Sequence, residues 1–232
     1  MDALAARSYL IVDDEETSRL LVSRFLRQVE PGQLLLATNG QEALDLLAAN
    51  PVDCIVTDLN MRPVNGLQLL KAVRTGASAA RRDLPVVLFT GHSDIDLVGV
   101  ALALDVHAFV VKPVARPVLL ERIRRSLAQP APTTSVEAYQ AIEIPPTLGA
   151  EPPAPPPPVA PVAPSPAVGR RWPEVLTALS EVREDQVLSR DVVNQNGRLL
   201  INAGTKLTRR FIDRLTDLVE LDSSLAEVWI RV

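Results

Sequence analysis

The chain has 232 residues, with 24 Lys and Arg against 28 Asp and Glu and a formal net charge of −4. A mildly acidic balance gives no electrostatic case for nucleic acid or for an anionic membrane surface. A single cysteine excludes an internal disulfide framework, and with no secretory-type N-terminus or bilayer-length apolar run the sequence reads as cytoplasmic.

Composition divides the chain into 1–128, 129–169 and 170–232. The first part alternates strand-like runs at 8–12, 33–37, 53–57, 84–89 and 107–111 with helical patterns at 15–28, 41–49, 65–75, 94–104 and 115–128. Asn39 with Glu42, and Ser93 with Asp96, stand at capping-box spacing for the second and fourth helices. Leu20, Leu21, Leu44, Leu47, Leu69 and Leu70 are expected in the core. Cys54, inside an apolar run, reads as a small buried hydrophobe rather than a reactive thiol. Short apolar runs separated by helices predict a parallel sheet covered on both faces, a doubly wound α/β domain with right-handed crossovers.

Polar residues end four of the five strands: Asp13 and Asp14 after Tyr9-Leu10-Ile11-Val12, Asp58 after Cys54–Thr57, Thr90 after Pro85–Phe89, and Lys112 after Ala108–Val111. In doubly wound sheets ligands sit beyond the carboxyl ends of the strands, so these groups converge on one edge. Three carboxylates form a hard oxygen site suited to Mg²⁺, which keeps waters and bridges to phosphate. One carboxylate can then act as nucleophile and form an acyl phosphate. Asp58 is the candidate, with acids on one neighbouring strand and the hydroxyl and amine on the other side. Lys112 would pair with a phosphoryl oxygen as a compact point charge, and Thr90 would donate to another. Singly, each has an ordinary role: Asp13 or Asp14 as a helix cap, Thr90 as a strand-end hydroxyl, Lys112 as a solvated lysine. Their joint placement is what points to phosphoryl chemistry.

With these residues in hand, positions 8–128 resemble the receiver domain of two-component response regulators. The likeness is carried by Leu10-Ile11-Val12-Asp13-Asp14-Glu15, Asp58-Leu59-Asn60-Met61, Gly66, Phe89-Thr90-Gly91 and Phe109-Val110-Val111-Lys112-Pro113. It implies a flavodoxin-like sheet of order 2-1-3-4-5 and phosphorylation of Asp58 by a sensor histidine kinase or phosphotransfer protein. It also implies Mg²⁺ on Asp13, Asp14, Asp58 and the Asn60 carbonyl, a cis Lys112–Pro113 bond, and Thr90 with Phe109 as a switch pair. The reading departs from the family at Met61-Arg62-Pro63, where Met-Pro is usual, and His92 stands two residues after Thr90.

Residues 129–169 hold thirteen of the twenty prolines and read as an extended, semi-rigid linker. Residues 170–232 read as a small α+β module. Val192-Val193 leads through Asn194-Gln195-Asn196-Gly197 to Leu199-Leu200-Ile201, a hairpin signal. A helix follows from Thr208 to about Val219 with Phe211, Ile212, Leu215 and Leu218 on one face, and a last strand at 228–232 is expected to return to the hairpin. The stretch Asn196–Thr208 resembles a short module found beside HD-type signalling domains. Ten Lys and Arg against ten Asp and Glu over 170–232 argue against DNA binding, and Arg209, Arg210 and Arg214 interleaved with Asp213 and Asp217 read as a solvated face. The only histidines are His92 and His107, which excludes a metal-dependent HD-type or histidine-phosphotransfer output. The expected function is therefore a phosphorylation switch, not an enzyme beyond its own phosphorylation and dephosphorylation, that signals to a protein partner; the sequence does not fix oligomeric state, and the resemblance leaves open a homodimer through the fourth and fifth helices, a surface that often pairs in the family. A DNA-binding transcriptional regulator and a phosphate sink are the competing readings.

Overall fold

The computed structural model describes residues 4–91, 97–128, 134–144, 173–195, 197, 199–219 and 222–231. Ser93, Asp96 and His92 lie outside them. Five apolar runs form the strands β1 (Ser8–Val12), β2 (Gln33–Ala37), β3 (Cys54–Asp58), β4 (Val86–Thr90) and β5 (Ala108–Val111). They make one parallel sheet of order β2-β1-β3-β4-β5. In the register, Val12 lies beside Thr57, Asp58 beside Phe89 and Thr90 beside Val111.

Because side chains alternate across a strand, each run feeds two cores. Leu10, Val12, Ile55, Val86, Leu88, Phe109 and Val111 pack on one face. Tyr9, Ile11, Cys54, Val56, Val87, Phe89, Ala108 and Val110 pack on the other. Burial on both sides raises the Cys54 thiol far above its ordinary pKa, which keeps it protonated and inert.

The helices are α1 (Glu16–Arg27), α2 (Gly40–Ala49), α3 (Gly66–Thr75), α4 (Val98–Ala103) and α5 (Arg116–Ala128). The Asn39 side chain accepts from the amides of Gln41 and Glu42. Glu42, however, reaches back to the amide and hydroxyl of Thr38, at 2.7 and 2.8 Å, so the reciprocal half of the box is displaced by one residue. A complete capping box occurs at Asn65 and Gln68, which start α3. Leu20 and Leu21 are not core residues: they are 54% and 37% exposed. The α1 stripe instead centres on Val22 and Leu26.

Within the segment expected to be extended, Val136–Gln140 forms the short helix α6, packed on α3. Ser135 caps it by accepting from the Ala138 amide. Tyr139 is fully buried; its hydroxyl donates to Asp105 Oδ2 at 2.8 Å and accepts from the Thr134 amide at 2.9 Å. Lys71 donates to the carbonyls of Gln140 and Ile142. An aromatic anchor and these bonds explain why the chain is held here despite its proline-rich surroundings.

The C-terminal module comprises β6 (Glu174–Ala178), β7 (Val192–Val193), β8 (Leu199–Ile201), α7 (Arg209–Leu218) and β9 (Glu227–Arg231). The expected hairpin is present as β7-β8, closed by the Gly197 amide on the Asn194 carbonyl, with Gly197 at φ +74°. Thr208 caps α7 through the Phe211 amide. The last strand does not extend the hairpin. It pairs antiparallel with β6, a strand the sequence reading missed, and meets the segment before the hairpin through the Leu188–Ile230 bridge, the Ser189 amide on the Trp229 carbonyl and the Arg231 amide on the Val187 carbonyl.

The module's apolar residues, among them Leu200, Leu207, Leu215 and Leu218, continue the core on the Phe109 face of the parallel sheet. Helix α7 lies on the edge strand β5, and β8 lies on α4. The charged face of α7 is therefore solvated only in part: Arg209 is exposed, but Arg214 and Asp217 are each 1% exposed. Arg214 pairs with Asp105 at 3.4 Å. Asp217 accepts from Arg122 at 2.9 Å and from Arg125 at 2.6 Å, both on α5, and from the Phe109 backbone amide of β5 at 3.3 Å. Burial lifts the Asp217 carboxyl to about 6 against the pull of Arg125 and Arg122, which leaves it ionised at neutral pH.

Candidate functional site

The carboxyl ends of β1, β3 and β5 bring three of the expected residues into contact. Lys112 Nζ lies 2.5 Å from Asp58 Oδ1 and 3.0 Å from Asp13 Oδ2. Each acid has a second, backbone donor: the Asn60 amide to Asp58 at 2.7 Å, and the Glu15 amide to Asp13 at 2.9 Å. These turns fix the carboxylates as soon as the chain leaves the strand. Asp13 is 2% exposed and Asp58 7%, so both are largely withdrawn from solvent. The lysine ammonium also lies 4.8 Å from the Phe89 ring centroid, within cation–π range. The Lys112–Pro113 peptide is cis, as is Arg62–Pro63 in the loop that departs from the expected pattern.

Thr90 is fully buried, with its hydroxyl donating to the Gly91 carbonyl at 3.3 Å. Its carbonyl accepts from the Lys112 amide at 2.8 Å, tying the two strand ends together. Asp14 is exposed next to Asp13. Phe109 is not at the strand end; its ring is buried in the core, 1% exposed, and its backbone amide is the one that meets Asp217.

The electrostatics of the cluster are unbalanced. Burial raises both Asp58 and Asp13 above the ordinary carboxylate value, and Lys112 only partly offsets this. Burial pulls Lys112 down, but the two carboxylates outweigh it and leave the amine raised. One amine gains from two acids, while each acid carries its own desolvation and its neighbour's repulsion. The site is short of positive charge, and its side-chain oxygens are hard carboxylate donors. Those two properties fit a divalent cation. Among the described residues no group of three His, Cys, Asp or Glu side chains is gathered to hold a metal unaided, so backbone carbonyl and water would complete the shell.

This strand-end geometry agrees with comparison against known proteins. The family model described as the response regulator receiver domain matches residues 9–124, half of the chain. The chain belongs to the response regulator receiver family. It is 36% identical over 115 residues to a chemotaxis protein CheY homolog of Campylobacter jejuni, covering 49% of this chain and 87% of that protein. It is 32% identical over 134 residues to the sensory/regulatory protein RpfC of Xanthomonas campestris, covering 55% of this chain but only 18% of that protein. The solved structure of Vibrio cholerae chemotaxis protein CheY4 is similar at 27% identity, with a TM-score of 0.48 over 53% of this chain and 99% of that one.

Within the receiver, the residues that sequence reasoning did not single out lie away from the strand ends. Arg74 is fully buried, donating to the carbonyls of Arg82, Leu84 and Asp105 and meeting His107 Nδ1 at 3.2 Å. Burial and the Arg74 charge lower the His107 imidazole to about 2, so it stays neutral. Among the described residues, no helix is long and apolar enough to cross a membrane.

Proposed function

We propose that the receiver accepts a phosphoryl group on Asp58 from a sensor histidine kinase or a phosphotransfer protein, and signals by a conformational change to a protein partner. The observation that carries this reading is the meeting of Asp13, Asp58 and Lys112, two buried acids on one amine at a single sheet edge. An Asp58 carboxylate oxygen attacks the phosphorus of a phosphohistidine; the P–O bond forms as the P–N bond breaks, its electron pair leaving with the imidazole. Lys112 then exchanges its carboxylate partner for a phosphoryl oxygen. Asp13, Asp58 and the Asn60 carbonyl, with Asp14 adjacent, would hold Mg²⁺, which supplies the missing positive charge.

Thr90 is placed to follow. Its hydroxyl donates to a carbonyl at 3.3 Å, and a phosphoryl oxygen is a stronger acceptor. Withdrawal of that hydroxyl vacates space on the next strand, into which the Phe109 ring can turn. Residues 129–169 join the two parts, with 134–144 held on the receiver, and 170–232 act as an interaction module of the kind found beside HD-type signalling domains. A cytoplasmic setting goes with this reading. No catalysis is proposed beyond the receiver's own phosphorylation and dephosphorylation.

The test is ¹⁹F NMR of the full chain with beryllofluoride and Mg²⁺. A bound, Mg²⁺-dependent signal is expected in the wild type and none in Asp58→Asn. Loss of the wild-type signal, or its survival in the variant, overturns the reading.

A further inference from the structure

The C-terminal module has a cleft of its own, of about 410 Å³, lined by residues of β6, β7, β9 and the turns beside them. Leu176 of β6 stands opposite Trp229 of β9 in the antiparallel ladder, and Val193 of β7 lines the same opening. Leu176 is 45% exposed and Val193 44%. Single exposed aliphatic side chains are ordinary on a protein surface, whereas aliphatic and indole groups gathered on one cleft mark a contact site. The Arg190 guanidinium lies 3.8 Å from the Trp229 ring centroid, within cation–π range, and is itself held by the Glu174 carboxylate. The indole is thereby a fixed wall, which lowers the ordering cost of packing anything against it.

We propose that this cleft is a polyproline-binding site and that its occupant is Pro152–Pro158 of the same chain. That run lies outside the described residues, and Pro158 stands sixteen residues before Glu174, where β6 begins. At the polyproline rise sixteen residues reach about 50 Å. A module of roughly sixty residues has a radius of gyration of about 10 Å, so the run can return to any part of its surface. Proline brings apolar rings and carbonyl acceptors but no amide donor. Its fit is therefore to an aromatic wall with N–H groups near it, and Arg190, Asn194 and Gln195 line the cleft beside Trp229. The run carries no charge, so Asp191 and Glu227, which also line the cleft, do not oppose it. Tethering presents the run at a local concentration on the order of 1 mM, enough to fill a weak site. The joining segment is then fastened at both ends, by Tyr139 on the receiver and by Trp229 on the module.

The test uses the full chain carrying Trp172→Phe, which leaves Trp229 as its one tryptophan. In a second protein Pro152, Pro153, Pro155, Pro156, Pro157 and Pro158 are all replaced by Ser. With the native run, Trp229 is expected to emit at shorter wavelength and to be quenched by acrylamide about twofold less than in the Ser variant. The difference is expected to be independent of protein concentration. A synthetic peptide of residues 151–159, added to the Ser variant at about 1 mM, is expected to restore the native emission. Leu176→Glu and Val193→Glu, both at exposed positions, are each expected to remove the peptide response. Identical emission with and without the prolines overturns the proposal, as does a peptide that restores nothing. A difference that grows with protein concentration gives the cleft to a second copy and overturns the choice of occupant. A peptide response that survives both Glu substitutions shows that the site is not this cleft.

Discussion

Gly66, the first residue of α3, sits against the backbone of Asp58 so closely that a Cβ on it would come within 2.1 Å of the Asp58 carbonyl oxygen. Its amide donates to the Leu59 carbonyl at 3.1 Å. The helix start is thereby the wall behind the phosphoacceptor turn, and backbone cannot give way as a flexible side chain can. Gly66→Ala is expected to destabilise the receiver by about 2 kcal/mol or more, as overpacking against fixed atoms does. Chemical denaturation measures it. A loss below about 0.5 kcal/mol, the range of a neutral surface change, would show that the turn can move.

Lys112 occupies the carboxylates that a cation needs. Lys112→Met keeps a side chain of similar shape and removes the charge that lies over Phe89. Mg²⁺ binding in the absence of a phosphoryl analogue is expected to tighten severalfold, because two buried acids lose their competitor. Beryllofluoride binding is expected to weaken, because its anionic charge loses a partner. Calorimetric Mg²⁺ titration and ¹⁹F NMR read the two effects separately, and weaker Mg²⁺ binding would contradict this account of the charge balance.

Asp58 and Asp13 carry a definite pH signature. Their folded pKa values are raised above the unfolded value of 3.8, by burial first. Holding them ionised therefore costs stability at pH above the folded pKa, and the cost is relieved as pH falls through that value toward the unfolded one. Asp58→Asn is expected to raise the melting temperature at pH 7, with the advantage over wild type shrinking as the pH is lowered. An advantage that grows on acidification would mean that Lys112 had overcompensated the burial.

Tyr139 holds the segment after α5 against the receiver. Tyr139→Phe keeps the buried ring and removes the hydroxyl shared by Asp105 and Thr134. A loss of about 1–2 kcal/mol is expected in thermal or chemical unfolding, the cost of unpaired buried polar groups. A neutral result would place residues 134–144 outside the cooperative unit.

The parallel sheet was legible because its strands are short apolar runs that stop at a charged or hydroxylated residue. Asp13, Asp58 and Lys112 declare their shared edge by position alone, and the fold brings them within hydrogen-bond distance. Helix α7 shows the limit. Arg214 and Asp217 lie on a helix with balanced charge, a pattern that ordinarily means solvent. The surface that buries them is supplied by Asp105, Phe109, Arg122 and Arg125, about a hundred residues earlier, and no local period encodes that meeting. Strand β6 was missed for a similar reason. Glu174–Ala178 has no strict alternation, and its partner β9 lies about fifty residues later. Tyr139 was hidden by its proline-rich surroundings, where composition argued for an extended chain.

In the module, Glu174 stands opposite Arg231, and the intervening residues pair in order to Ala178 opposite Glu227. The first and last strands are thus each other's only ladder partner among the described residues, and Ile230 also bridges Leu188. Shortening the chain at Glu227 would strip β6 of its partner as surely as deleting β6 itself. The two ends of the module are consequently one structural element: trimming from either side undoes the same two-stranded sheet, and a cut within β9 frees β6 as well.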